Sequence, residues 1–272
     1  MTQPAATDGE LPTSLAEILE LTPLSGDVFL APAIGDTGRL SLYGGQLVAQ
    51  AIRAAAHTVP EGRIVHSMHA YFLRPGSSRE PIVYRVHRDP DGGRYSTRRI
   101  VVSQSTEICS LSASFVTPRD GPEFQASEMP QAAAPEQLPV YQLEPRRTFD
   151  LEARLPDDPQ PWHRWPTRLW GRIREPLSDD PNIHACALMF LSDMGTGLSK
   201  APAVNEVGIL PSLDHAVWLH RQFSANDWML LDLSPEATAG GRGMYSGRVF
   251  DCDGTLLASL AQESLFDRRR PR

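Results

Sequence analysis

The sequence predicts an α+β fold that the chain builds twice in tandem. Three observations carry that expectation. Segments of the two halves repeat one another in the same order. Strands within each half are joined through glycine-bearing turns, and the first half carries one central helix, the layout of a helix on an antiparallel sheet. A proline-rich stretch separates the halves: ten of the 24 prolines lie between Pro118 and Pro166. No long apolar period survives there, as expected of a linker crossing a surface. The resulting units are 1–120, a linker over 121–160, and 161–272.

The elements run in order along the chain. Ser14–Leu21 reads as an acidic helix with Ser14 or Thr13 as N-cap and Glu17 placed for a capping box. Arg39–Tyr43 reads as a short strand. Gly44-Gly45 then opens a helix over Gln46–Thr58, with Leu47, Ala51, Ala54 and Ala55 near helical spacing and a stop at Pro60. Strands are expected at Val65–Leu73, Ile82–His87, Tyr95–Gln104 and Ile108–Val116, with Asp91-Gly92 as a hairpin signal. The second half reads as strands near Trp165–Arg174, His184–Leu191, Leu213–His220, Trp228–Leu233, Gly243–Phe250 and Leu256–Phe266, with Asp253-Gly254 in its last hairpin. Its central helix is expected over "DMGTGLSKAPAVN", Asp193–Asn205, short and broken by two glycines and a proline.

The repeat can be laid out residue by residue. With Arg74 opposite Arg221, Tyr71 meets Trp218 and Val65 meets Ser212. Gly92-Gly93-Arg94 meets Gly240-Gly241-Arg242, and Phe115 meets Phe266. The offset drifts from 147 to 151, as hairpin loops of slightly different length would cause. The last strand raises a question. Its more apolar face carries Leu256, Ala258, Leu260, Gln262, Ser264 and Phe266, and should look inward. An amide in a core costs about 1–3 kcal/mol unless it finds partners. Gln262 is therefore either a satisfied structural residue or a side chain pointing into a site.

Composition narrows the function classes. Of 272 residues, 41% are hydrophobic and 22% charged, ordinary for a globular protein. A net charge of −7 argues against a nucleic-acid binder, and the basic run Arg268–Arg272 reads as a solvated tail. No apolar run reaches the roughly 18–20 residues of a membrane span, and no signal peptide is evident. Cys109, Cys186 and Cys252 form no CxxC pair and read as reduced, buried thiols of a cytoplasmic protein. His66 and His69, and likewise His215 and His220, have odd spacings that point each pair to opposite strand faces, so no metal site is expected. Asp251–Gly254 lacks the rest of a calcium loop and reads as a turn. No nucleophile elbow, Walker or dinucleotide motif is present.

"LYGGQLVAQAIRAA", "VHSMHAYFLRPG", "SLDHAVWLHRQF", "AGGRG" and "DGTLLASLAQES" together resemble the acyl-CoA thioesterase II family. The resemblance runs from Leu15 to Phe266, with the proline-rich stretch unmatched. It implies two tandem hotdog folds, each a helix wrapped by an antiparallel sheet. It also implies hydrolysis of acyl-CoA to a carboxylic acid and coenzyme A, with no cofactor beyond the coenzyme A of the substrate. A homodimer or homotetramer is expected, with no nucleic-acid or membrane partner. The family's aspartate falls on Asp193 in "MFLSDMG", its hydroxyl residue on Ser212 in "PSLDH", and its glutamine on Gln262. The sequence departs from the family at His220-Arg221-Gln222-Phe223, usually "HRPF", and at Gln262-Glu263-Ser264, usually "QEG". Two other readings remain. One is a non-catalytic acyl-CoA-binding protein. The other is a hotdog enoyl-CoA hydratase, which pairs its aspartate with a histidine five residues on, where Leu198 stands here.

These residue types suit the reaction. A thioester needs a positioned water and stabilisation of its carbonyl oxygen, because thiolates leave readily. Asp193 as general base is worth about 10²–10⁴-fold, and is expected at the N-terminus of the second helix, which favours a carboxylate. Direct attack by Asp193 to give an anhydride is the alternative to water activation, which is favoured here. Gln262 could hold the water through its carbonyl and donate through its amide, and Ser212 can do both. In the repeat, Ser212 meets Val65, Gln262 meets Leu111 and Asp193 meets about Gly45, so one site per chain is expected, built on the second half. Gly44 and Gly45 would offer free helix-start amides to an oxyanion or a pantetheine. Asp214, assigned to the face of Ser212, would contact substrate or pair with Arg221 or Arg242.

Overall fold

A computed structural model describes residues 14–33, 41–141, 150–157, 165–201 and 211–265. The first half contains α1 (Leu15–Leu19), β1 (Thr22–Pro23), β2 (Val28–Ala31), α2 (Gly44–Ala56), β3 (Ile64–Phe72), β4 (Ile82–Arg88), β5 (Tyr95–Ser103) and β6 (Glu107–Val116). The second contains β7 (Leu151–Arg154), β8 (Arg168–Ile173), α3 (Pro181–Ser192), β9 (Asp214–Leu219), β10 (Met229–Ala239), β11 (Arg242–Phe250) and β12 (Leu256–Leu265). All pairings are antiparallel, and the strands form one sheet in the order β1-β2-β4-β5-β6-β3-β9-β12-β11-β10-β8-β7. The halves join at its centre, where β3 pairs β9 from Ser67–Trp218 to Tyr71–Asp214.

Alternation decides which face each strand buries. In β6, Cys109, Leu111, Ala113 and Phe115 face the core, and in β12, Leu256, Ala258, Leu260, Gln262 and Ser264 do so. Phe266 lies outside the described residues. The two helices lie between the arms of the sheet and share one continuous core with both of them. In α2 four of the ten buried positions are alanine and a fifth is Gly45, with Leu47, Val48 and Ile52 among the rest, and the small residues let α3 pack closely. Ser14 caps α1 as expected, its side chain accepting from Glu17 N at 3.2 Å.

Three expectations are corrected. Ser41–Tyr43 is not a strand, and the rest of Arg39–Tyr43 lies outside the described residues. The first long strand is Val28–Ala31 instead. His184–Leu191 is not a strand but the body of α3. That helix is buried on nearly every side, so its apolar run lacks the 3.6-residue alternation that marks a surface helix. Its start was nevertheless legible. Asp180 is the N-cap, accepting from Asn182 N at 2.9 Å, and Pro181 occupies the first turn. In place of the broken helix expected over Asp193–Asn205, the chain leaves α3 through a loop and a 3-10 turn at Gly197–Lys200. Its glycines permit close approach: a Cβ on Gly195 would lie 2.6 Å from Pro166 O, and one on Gly197 2.6 Å from Tyr245 Cβ. Residues 202–210 lie outside the described residues.

The proline-rich stretch crosses the outer face of the second half. Met129, Ala132 and Leu138 cover a cluster of Trp170, Trp228, Leu230, Phe250 and Leu256, and Trp170 Nε1 donates to Ala133 O at 3.0 Å. β7 lies within 121–160 and forms the sheet edge beside β8. Cys109 and Cys186 are buried, and burial pushes both thiols up to about 12, whereas Cys252 is exposed, contrary to expectation. Among the described residues no helix is long and apolar enough to cross a membrane.

Candidate active site

The site grows from the way the two helices meet. They run antiparallel, so the C-terminus of α3 faces the N-terminus of α2. Asp193 is the C-cap of α3, not the start of a helix, and the helix N-terminus it serves belongs to the other half. Its Oδ2 accepts from Gly45 N at 2.9 Å. α2 has no side-chain cap of its own, so Asp193 satisfies one of the amides a helix start leaves unpaired. The carboxylate lies at the positive end of α2.

Glycine is required at both positions of that turn. A Cβ on Gly44 would lie 2.7 Å from Asp193 Oδ2 and 2.9 Å from Phe72 Cζ. One on Gly45 would lie 2.6 Å from Phe190 O and 2.7 Å from the Tyr43 ring. Tyr43 closes the junction, its hydroxyl donating to Phe190 O at 2.6 Å and its ring meeting Phe190 edge-on at 4.9 Å. The Gly45 amide expected to be free for a ligand is thus engaged by Asp193.

Gln262 answers the question posed by its strand. It is 2% exposed, and its Nε2 donates to Asp193 Oδ1 at 2.8 Å and to Ser212 Oγ. Two side chains remote in sequence, Asp193 and Ser212, therefore converge on the amide nitrogen of a third. The Gln262 carbonyl oxygen does not hold a site for water at the surface: it is buried. Ser212 bridges to Ser264 of β12 ahead of β9, and a bend at Leu213 separates it from Asp214. The two do not share a face. Asp214 Oδ1 accepts from Glu263 N at 2.7 Å, and the arginines offered as its partners pair elsewhere, Arg221 with Glu123 and Arg242 with Glu263.

A cavity of about 490 Å³ opens onto this cluster. Asp193, Ser212, Gln262 and Gly44 line it, with Phe72 and Tyr245 among the apolar walls. Gly45 and Asp214 do not line it. Burial, together with the charge of Asp193, raises the Tyr245 pKa well above its usual value. Among the described residues no group of three His, Cys, Asp or Glu could hold a metal ion.

Residues 118–266 match the description "Acyl-CoA thioesterase C-terminal domain", and residues 32–116 match "Acyl-CoA thioesterase N-terminal domain". The chain belongs to the acyl-CoA thioesterase family. It is similar to "Acyl-CoA thioesterase 2" of Haemophilus influenzae, 32% identical over 93% of this chain and 96% of the relative. It is also similar to "Acyl-coenzyme A thioesterase 8" of Homo sapiens, 31% identical over 91% of this chain and 87% of that protein. A solved structure described as an "Acyl-CoA thioesterase II TesB2" from Mycobacterium marinum is 34% identical, with a TM-score of 0.79 over 94% of this chain and 98% of its own. The double hotdog architecture and membership of a family of thioester hydrolases both stand on these matches.

Sequence reasoning gave no role in the site to three residues that stand around the cluster: Tyr43, Ser192 and His215, the last weighed only as a metal ligand. His215 is 0% exposed and its Nε2 lies 2.7 Å from Ser192 Oγ. Burial lowers its pKa, while Asp193 and the Gln262 side chain act in the opposite direction. The available signal was its inward parity with Val217 on β9.

Proposed function

We propose that Asp193, Ser212 and Gln262 carry the hydrolysis of acyl-CoA thioesters, with water as the nucleophile. The observation that supports this reading best is the Gln262 amide nitrogen bridging Asp193 Oδ1 and Ser212 Oγ at the cavity wall. Asp193 takes a proton from water, and the oxygen adds to the thioester carbonyl carbon. The tetrahedral intermediate collapses, breaking the carbon–sulfur bond, and the departing thiolate receives the proton from Asp193. The products are the fatty acid and free coenzyme A, and no cofactor enters the scheme.

The polarity of the hydrogen bonds assigns the remaining roles. Ser212 Oγ accepts from Gln262, so its own proton is free to donate to the developing oxyanion. The Gly44 amide, at the helix start, is the second donor in this scheme. Gly45 acts through Asp193, and Asp214 holds the β12 backbone beside Gln262 rather than touching substrate. We assign the chain to the cytoplasm on its unpaired thiols, testable by cell fractionation. A homodimer or homotetramer is part of the same proposal, testable by light scattering.

The decisive experiment follows coenzyme A release from a panel of acyl-CoA esters with a thiol reagent. Asp193→Asn should lower kcat about 10²–10⁴-fold, and Gln262→Ala should also lower it, with the fold retained. Turnover that survives both substitutions would remove the site assignment. Tight binding of acyl-CoA by the wild type without coenzyme A release would favour the non-catalytic reading.

A further inference from the structure

His215 lies one step beyond the Ala216–Ala261 pair in the register of β9 and β12, which places it directly across from Gln262. Among the described residues, two buried polar atoms of this pair have no hydrogen-bond partner: His215 Nδ1 and Gln262 Oε1. The other polar atom of each side chain is already engaged. His215 Nε2 contacts Ser192 Oγ, and Gln262 Nε2 serves Asp193 and Ser212. These two atoms are therefore the pair left through which the facing side chains can meet.

The placement of protons selects one tautomer. If Nε2 carries the proton, Ser192 accepts it and donates onward to Met189 O, 2.9 Å away. Nδ1 then presents a lone pair to the lone pairs of Gln262 Oε1. If Nδ1 carries the proton, Ser192 donates to Nε2, and both orphaned atoms are satisfied at the loss of one contact to a helix carbonyl. Leaving buried donors and acceptors unmade is the costlier arrangement.

We infer that His215 is a positioning residue for the hydrolytic reaction. In its Nδ1–H form it holds Gln262 Oε1, so that the amide nitrogen faces Asp193 and Ser212. The ring of contacts closes on itself, because Ser192 and Asp193 are neighbours at the end of α3. A single helix end thus orients the base directly and the amide through His215. This rests on the roles proposed for Asp193, Ser212 and Gln262.

A double-mutant cycle tests it. His215→Leu should lower kcat about 10–100-fold with KM held within about twofold. On a Gln262→Ala background the same substitution should change kcat less than about twofold, because the amide it positions is gone. His215→Asn, whose amide N–H falls near Nδ1, should recover most of the rate. Equal losses in both backgrounds would reduce His215 to a packing residue and overturn the inference. Wild-type kcat in Gln262→Ala would instead sink the underlying site reading. Should His215→Leu fail to fold, nitrogen-15 NMR of the wild-type imidazole decides: protonation at Nδ1 supports the assignment, and protonation at Nε2 alone overturns it.

Discussion

The antiparallel helix pair has two ends built from equivalent parts, and they are put to opposite uses. At one end the C-cap of α3, Asp193, meets the start of α2; at the other the C-cap of α2, His57, lies near the start of α3. The second end is closed by its own contacts. Asp180 caps α3 and pairs with Arg53 at 3.4 Å. Asn182 accepts from Val65 N at 2.9 Å and donates to Arg63 O at 3.1 Å, tying α3 to β3. His57 stacks on Phe29, with ring centroids 5.5 Å apart, and burial lowers its pKa. Polar groups at that end satisfy one another. At the Asp193 end they converge on a cavity. A duplicated frame supplies two helix junctions, and the residues placed at each decide which one can do chemistry.

The two helix ends also correct the repeat. Asp193 stands opposite His57 as a helix C-cap, not opposite Gly45, which it contacts across the two halves. The expected asymmetry of polar against apolar residues does not survive at this position, since His57 is itself polar; what differs is that its imidazole packs on Phe29 whereas Asp193 lines a cavity.

Substitutions at the two ends should separate activity from stability. Gly44→Ala has the largest expected effect, because the new Cβ meets Asp193 Oδ2 at 2.7 Å and Phe72 at 2.9 Å. Displacing a reacting group by this much costs about 10²-fold in kcat, measurable as coenzyme A release at saturating substrate. Asn182→Ala removes the opposite clip and leaves a backbone donor and acceptor buried. It should cost about 1–3 kcal/mol in urea unfolding and leave kcat within about twofold of wild type. Stability loss alone in Gly44→Ala, or a collapse of kcat in Asn182→Ala, would break the division between a working end and a closed one.

How much of this was legible depends on the physics of each element. Strands β3 to β6, β9, β11 and β12 alternate between core and solvent, and their positions are readable to within a few residues; β10, expected to stop at Leu233, runs on to Ala239, where its side chains become exposed and the alternation is lost. The inward Gln262 was readable for the same reason. α3 was not, because full burial erases the amphipathic period, and its caps were the only local signal. That error moved Asp193 from a helix end to a helix start. The Gly45–Asp193 contact crosses from one half to the other, so no local pattern encodes it; its trace is the pair of glycines. His215 was weighed only as a metal ligand, since nothing in a strand pattern says which buried imidazole faces an amide.

The smallest expected effect sharpens the comparison away from the site. The β4–β5 and β10–β11 turns occupy equivalent places. The second is a two-glycine turn, with Gly240 and Gly241 at φ of 58° and 76°, which needs no side chain to hold it. The first is tied by Asp91, which accepts from the fully buried Arg98 at 2.8 Å and from Ser96 at 2.6 Å. The Arg98 and Ser96 hydrogen bonds lower the Asp91 carboxyl from 3.8 to about 2. A depressed carboxylate stabilises the fold above its unfolded value, and that contribution fades as pH falls through the folded one. Asp91→Asn should therefore unfold at lower urea than wild type at neutral pH. The gap should narrow below about pH 4 and close near pH 2. Substitutions at Gly240 or Gly241 should destabilise without any such pH dependence, because the strain they introduce is in the backbone. A gap for Asp91→Asn that persists unchanged at pH 2 would mean the turn is held by shape in both halves.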